Sequence, residues 1–237
     1  ILEKPNETWE IFTKKSGAVA IAFQDEIVWA ANQTGVTAWD LASGKNKHYT
    51  MFDGLATNDV SSLVLRGNEI WAGSWEGGIS VFDGNNWKSI DSQGFSEILG
   101  ASADGVVWAS SPYEKNLGKF SNGNWQIFSK DTGFDIGNGG IQNAFVQANG
   151  DIWLQISESE NTIIRYFSAG QWNTINPANG VSPKSFILLG VLPEGNPIIV
   201  ESNYDILTFD GAQFQKTGWC SQCKGQFLVA SSVYPDG

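Results

Sequence analysis

Histidine occurs once in this chain of 237 residues, as His48, and cysteine twice, as Cys220 and Cys223. That shortage excludes a zinc site built from several His and Cys ligands, and any mechanism that needs two histidines. Basic residues are also scarce: 14 Lys+Arg stand against 25 Asp+Glu, a net charge of -11. A protein that neutralises phosphates needs a basic face, so neither nucleic acid nor an anionic membrane surface is an expected partner. Charged residues make up only 16% of the chain, too few for a long solvated helix or a coiled coil. No apolar run reaches the roughly 18 residues that a membrane-spanning helix requires. The chain opens on Ile1 with neither Met nor a signal peptide, as expected of a piece whose leader has been removed or of an excised segment.

Glycine (27) and tryptophan (11) are abundant. Together they point to many short strands joined by tight turns. A short apolar run ending in Trp recurs at Ile27-Val28-Trp29, Glu69-Ile70-Trp71, Val106-Val107-Trp108 and Asp151-Ile152-Trp153, and Pro197-Ile198-Ile199 is a fifth copy with Ile198 in the Trp position. Each is followed by a second landmark, at Trp39-Asp40, Phe82-Asp83-Gly84, Phe120-Ser121, Phe167-Ser168 and Phe209-Asp210-Gly211, and then by a third aromatic, at Tyr49, Trp87, Trp125, Trp172 and Phe214. Turns such as Asp104-Gly105, Asn149-Gly150 and Glu194-Gly195 separate the first two strands of each unit. Four strands every roughly 40–45 residues is the signature of propeller blades.

The spacing predicts an all-β β-propeller with five complete four-stranded antiparallel blades at about 18–50, 60–90, 96–129, 141–175 and 185–217. Residues 7–13 read as a last strand without its blade, and residues 226–233 as a first strand. A ring of six or more blades, continuing past Gly237, is the expectation.

Blade two is the fullest copy: Asp53-Gly-Leu-Ala-Thr-Asn-Asp-Val60, Asn68-Glu-Ile-Trp-Ala-Gly73, Gly77-Gly-Ile-Ser-Val-Phe-Asp-Gly84 and Trp87. These segments resemble the two-component-regulator propeller repeat. The resemblance runs along essentially the whole chain with falling quality, blade one lacking the Gly after its Trp-slot residues and blade five lacking the Trp. It implies an extracytoplasmic module (periplasmic, secreted or at the cell surface) that senses a ligand or engages a partner, with glycans as one ligand class. It implies no kinase, phosphoacceptor or DNA-binding part within these residues.

Nine Trp fall in repeat register and are expected to pack between blades: Trp9, Trp29, Trp39, Trp71, Trp87, Trp108, Trp125, Trp153 and Trp172. Trp75 and Trp219 fall outside it, in segments read as loops on one face of the ring. The same face is expected to hold Glu76, a long loop Ser110–Leu117 with Tyr113, an acidic loop Ser157–Asn161 with Glu158, and Tyr204. Trp75, Glu76, Tyr113, Glu158, Tyr204 and Trp219 are therefore the candidate ligand-binding residues, since rings stack on sugar C–H faces while carboxylates and amides bond hydroxyls. Folding of the loop aromatics over their own blades, and solvation of the acidic turn, are the competing readings.

Cys220 and Cys223 read as a short disulfide staple in an oxidising compartment, with a redox-active pair or free thiols as alternatives. A calcium site from Asp131, Asp135 and Asn138 matches no known ligand loop, and neither metal nor cofactor is expected. Among the predicted innermost strands Glu97 is the only carboxylate, and His48 reads as an exposed residue of an outer strand. A two-carboxylate or Ser/His/Asp mechanism therefore lacks members. Three readings follow: a non-catalytic ligand-binding or sensor module for a small molecule or glycan, a structural or protein-interaction propeller, and, least supported, an enzyme.

Overall fold

The structure is a computed structural model that describes residues 17–111, 113–137, 139–158, 161–175, 186–192, 194–201 and 205–217. Among these residues, twenty strands form five four-stranded antiparallel sheets. Blade 1 holds β1 (Ala20–Gln24), β2 (Ile27–Asn32), β3 (Gly35–Asp40) and β4 (Asn46–Tyr49). Blade 2 holds β5 (Ser62–Arg66), β6 (Glu69–Ser74), β7 (Gly78–Phe82) and β8 (Trp87–Ser89). Blade 3 holds β9 (Glu97–Ala101), β10 (Val107–Ser111), β11 (Asn116–Ser121) and β12 (Asn124–Phe128). Blade 4 holds β13 (Gly140–Val146), β14 (Ile152–Glu158), β15 (Asn161–Ser168) and β16 (Gln171–Ile175). Blade 5 holds β17 (Phe186–Val191), β18 (Pro197–Glu201), β19 (Ile206–Phe209) and β20 (Phe214–Lys216).

In every blade the strands pair in chain order. The first strands of successive blades lie against one another: β1 on β5, β5 on β9, β9 on β13 and β13 on β17. That arrangement of sheets around their first strands is the propeller expected from the repeat.

The apolar core lies between the sheets. One cluster joins Trp29, Val36 and Tyr49 of blade 1 to Leu63, Ile70, Phe82 and Trp87 of blade 2. A second joins Trp71, Ile79 and Val81 to Phe95, Ile98 and Val107. A third joins Trp108, Leu117 and Phe128 to Ile152, Leu154 and Phe167. A fourth joins Trp153, Ile164 and Ile175 to Leu188, Ile199 and Leu207. The four described junctions thus have a cluster each. The period-2 alternation of a strand makes this possible, because both faces of each central blade are apolar and each covers a neighbour.

The register explains the tryptophans. Trp29, Trp71, Trp108 and Trp153 point toward the following blade and are buried, as is Trp87. The four second-strand indoles each donate their N–H: Trp29 to Gln24 Oε1, Trp71 to Glu69 Oε2, Trp108 to Gly150 O and Trp153 to Gln147 Oε1, at 2.9–3.2 Å, whereas the buried Trp87 Nε1 has no partner. Trp125 and Trp172 are half-buried, and Trp9 lies outside the described residues.

Two positions of blade 1 depart from expectation, Tyr49 in register and Trp39 in burial. Trp39 pairs with Val28 and Asn46, so Asn46 stands where blades 2 to 4 carry Trp. Tyr49 sits three residues further on, paired with Val36 as Phe128 pairs with Leu117. Trp39 is 40% exposed, on the face of blade 1 turned away from blade 2, and Val19, Ile21 and Phe23 share that exposed face. The matching residues of blade 2, Leu63, Ile70 and Phe82, are buried against blade 1.

Three of the five described turns between third and fourth strands share one device. The carboxylates of Asp40, Asp83 and Asp210 accept backbone N–H bonds from the residues two and three ahead, at 2.9–3.0 Å. Backbone hydrogen bonds are the main cause holding all three below the usual carboxylate value of 3.8, and Lys88 adds to the effect at Asp83.

Two outcomes are expected. Trp108→Ala removes a fully buried side chain, so urea unfolding should show a loss of about 3–5 kcal/mol. A carboxylate held low in the folded state stabilises above its unfolded value and loses that contribution as pH falls through its folded value. Melting temperatures of the wild type should therefore fall as pH drops below about 4, and Asp83→Asn should make that fall shallower.

Candidate functional site

Strand direction sorts the connections onto two faces. Turns between first and second strands, and between third and fourth, lie at one end. Hairpins between second and third strands, and linkers from one blade to the next, lie at the other. All six candidate ligand-binding residues belong to the second group by sequence.

The linker from blade 1 to blade 2 is a capped turn of 3-10 helix at Met51–Asp53. Thr50 N–H donates to Asp53 Oδ2 at 2.8 Å, and Phe52 N–H donates to Thr50 Oγ1 at 3.2 Å. Met51 N–H donates to Asn58 Oδ1 at 2.8 Å. Gly54 closes the turn at φ 104°, where a Cβ would stand 2.2 Å from the Trp87 carbonyl oxygen. Leu55 then plugs into the junction of blades 1 and 2. Phe95 and Phe134 follow Gly94 and Gly133 in the next two linkers and are buried in the same way. The turn presents Phe52 almost wholly to solvent, 99% exposed, with Met51 beside it at 51%.

Beside it stands the hairpin of blade 2, Trp75-Glu76-Gly77, closed by Ser74 Oγ donating to Gly78 O at 3.1 Å. A Cβ on Gly77 would meet Thr57 of the linker at 2.5 Å, so hairpin and linker touch. Trp75 is 49% exposed and Glu76 is exposed.

The hairpin of blade 3 is shorter than the expected loop Ser110–Leu117. Ser110 and Ser111 belong to β10, Asn116 and Leu117 to β11, and Ser110 pairs with Leu117. Burial of Ser110, Ser111 and Leu117 inside the sheet explains the difference. Tyr113 is 77% exposed at the tip. Lys115 Nζ reaches across to Gly137 O of the following linker at 2.8 Å.

In the acidic segment of blade 4 the strands run as far as Glu158 and Asn161, which pair along the backbone. Tyr204, Trp219, Cys220 and Cys223 lie outside the described residues. The structure therefore brings Trp75, Glu76 and Tyr113 onto one face. It adds Met51 and Phe52, which sequence reading passed over because they fill the first turn of an ordinary linker. The signal was there in Thr50-Met-Phe-Asp-Gly54, a capped turn whose two central side chains have no inward direction.

The other candidates fare differently. The Asp135 carboxylate accepts from Gly137 N–H at 2.7 Å and pairs with Lys130 at 3.3 Å. The Gly137 N–H and the Lys130 ammonium hold its pKa below the usual range. Asn138 lies outside the described residues, and no group of three or more His, Cys, Asp or Glu among the described residues could hold a metal ion. His48 is exposed on β4, with Nε2 donating to Thr34 O at 3.0 Å and Nδ1 accepting from Thr37 Oγ1 at 2.9 Å. Glu97 opens β9 and accepts from Ser110 Oγ at 2.9 Å, and it is the only carboxylate on the described first strands.

No protein-family model matches the sequence, and no curated protein does. Solved structures do match. YCF48 bound to D1 peptide is similar at a TM-score of 0.61 and 13% identity, over 90% of this chain and 70% of that one. The WD40 β-propeller domain of Doa1 is similar at a TM-score of 0.55 and 13% identity, over 83% and 66%. The extracellular domain of a one component system from B. thetaiotaomicron is similar at a TM-score of 0.55 and 16% identity, over 91% of this chain and 28% of that one.

Because Trp75 stands out from the junction clusters, Trp75→Ala should change urea-unfolding stability by no more than about 0.5 kcal/mol. A larger loss would mean that Trp75 packs as the in-register tryptophans do. With five sheets set around their first strands, and a WD40 propeller among its structural likenesses, the chain is a β-propeller.

Proposed function

We propose that this chain is a non-catalytic recognition propeller of an extracytoplasmic sensor or surface protein, and that it binds a glycan on its loop face. One observation carries the reading: Met51, Phe52, Trp75 and Tyr113 are large, exposed, and gathered on the linker and hairpin face of adjacent blades. Large apolar side chains left exposed on one rim of a fold suit a binding surface. Rings of this kind stack on the C–H faces of sugars, and Glu76 and Glu114 stand beside them as acceptors for hydroxyls. Glu158, Tyr204 and Trp219 are assigned to the same face by sequence. Neither metal nor cofactor enters the proposal.

Lyases share this fold, so the fold alone does not exclude catalysis. The non-catalytic reading is supported by the lone Glu97 on the described first strands and by the engagement of both His48 nitrogens. An extracytoplasmic setting is supported by the likeness to an extracellular domain and by the resemblance of the repeat. No described helix is long and apolar enough to cross a membrane.

A protein partner is the second reading. It is favoured by the pairing of Met51 with a fully exposed Phe52, since flexible thioethers and outward aromatics are typical of protein interfaces.

A glycan array probed with the wild type, Trp75→Ala and Tyr113→Ala tests the proposal. The wild type should bind a defined set of glycans, and each variant should lose tenfold or more. Glycan binding indifferent to both substitutions would remove the site from this face.

A further inference from the structure

Two blade junctions carry a protein cation between aromatic rings. Between blades 2 and 3 the Arg66 guanidinium lies 5.3 Å from the centroids of both Trp71 and Phe120. It donates to Glu69 Oε2 at 2.8 Å and to Gly105 O, in the first turn of blade 3, at 2.7 Å. Between blades 3 and 4, Lys119 Nζ lies 5.7 Å from Trp108 and 5.4 Å from Phe167. In each case one ring is the second-strand Trp and the other is the third-strand Phe of the next blade. A cation gains from two ring faces at once in such a place.

The repeat register carries these positions to the junction of blades 4 and 5. Leu65 pairs with Ile70 as Val146 pairs with Ile152, so Gln147 takes the place of Arg66 and Asp151 that of Glu69. Trp153 takes the place of Trp71, Phe209 that of Phe120, and Gly195 that of Gly105. Trp108 pairs with Lys119 as Trp153 pairs with Tyr166, so Tyr166 takes the place of Lys119. Both positions that supply a cation elsewhere are therefore uncharged here.

These same six residues line one cleft of about 350 Å³. Its described lining adds the Glu194 carboxylate and the Asn149 and Asn196 carboxamides, and contains no Lys or Arg. Tyr166 lies flat on Trp153, centroids 4.0 Å apart and planes 9° from parallel. Asp151 is held in place through Oδ2, which accepts from Ser168 Oγ at 2.7 Å and Asn149 Nδ2 at 3.0 Å. Gln147 is already committed, accepting from Trp153 Nε1 and donating to Leu192 O at 3.2 Å.

We propose that this cleft binds an organic cation, a guanidinium or primary ammonium on an apolar stem, seated against the Tyr166 and Phe209 rings and paired with Asp151 and Glu194. The ligand supplies in trans what Arg66 and Lys119 supply from the chain itself. The cleft lies on the turn face, opposite the loop face of the recognition site, and does not rest on that reading.

Isothermal titration calorimetry of the whole chain with L-arginine, N-acetyl-arginine amide and citrulline tests this. Citrulline keeps the shape of arginine and lacks its charge. L-arginine or the amide should bind and citrulline should not. Binding of the amide but not of free arginine would identify a peptide-borne side chain as the source. Glu194→Gln, an exposed change with little risk to folding, should weaken binding about tenfold, the worth of one charge-assisted hydrogen bond. Gln147→Arg should fill the cleft from within and abolish binding. No heat with either arginine probe, equal affinity for citrulline, or undiminished binding in Gln147→Arg would overturn the proposal.

Discussion

Everything in this structure depends on each sheet being apolar on both faces. A lone four-stranded sheet of this kind would leave both faces in water. The chain escapes by stacking each blade on the next, so burial is shared between blades. The four described core clusters sit at the four described junctions, and each draws on two blades. Indole rings suit that task, because they span the gap between twisted sheets, and those of the second strands also place their N–H on an acceptor at a strand end or turn.

The same constraint frees the two rims for other work. Linkers and hairpins need only return the chain, and burial of Leu55, Phe95 and Phe134 fixes three linkers from beneath. Side chains above those anchors can therefore serve a ligand at little cost to the fold. On the opposite rim the repeat does something similar at the junctions. It places a cation between two rings in two of them and leaves an acid-lined cleft in a third.

The architecture was legible in the sequence because its cause is periodic. Trp recurring on second strands, Phe-Asp-Gly on third strands and Asn-Gly or Asp-Gly turns each mark a physical requirement that repeats with the blade. Register was less legible in blade 1. Tyr49 looked like the aromatic of the fourth strand, yet it lies three residues beyond that slot, which Asn46 fills. Loop length was misjudged where serine-rich segments turned out to be strand, since Ser110 and Ser111 read as polar but are buried in β10. Of the loop face, Trp75 and Tyr113 stood out as non-repeating aromatics, whereas Met51 and Phe52 hid inside a linker that itself repeats. The cleft between blades 4 and 5 could not be read from sequence, because it arises from four segments of two blades.

The central claim is that stability resides in coupling across blades. A double-mutant cycle between Trp29 of blade 1 and Phe82 of blade 2, whose ring centroids are 5.1 Å apart, measures that coupling directly. The account predicts a coupling energy of about 0.5–1.5 kcal/mol by urea unfolding. A coupling indistinguishable from zero would contradict it, for it would mean that each blade holds its aromatics on its own account.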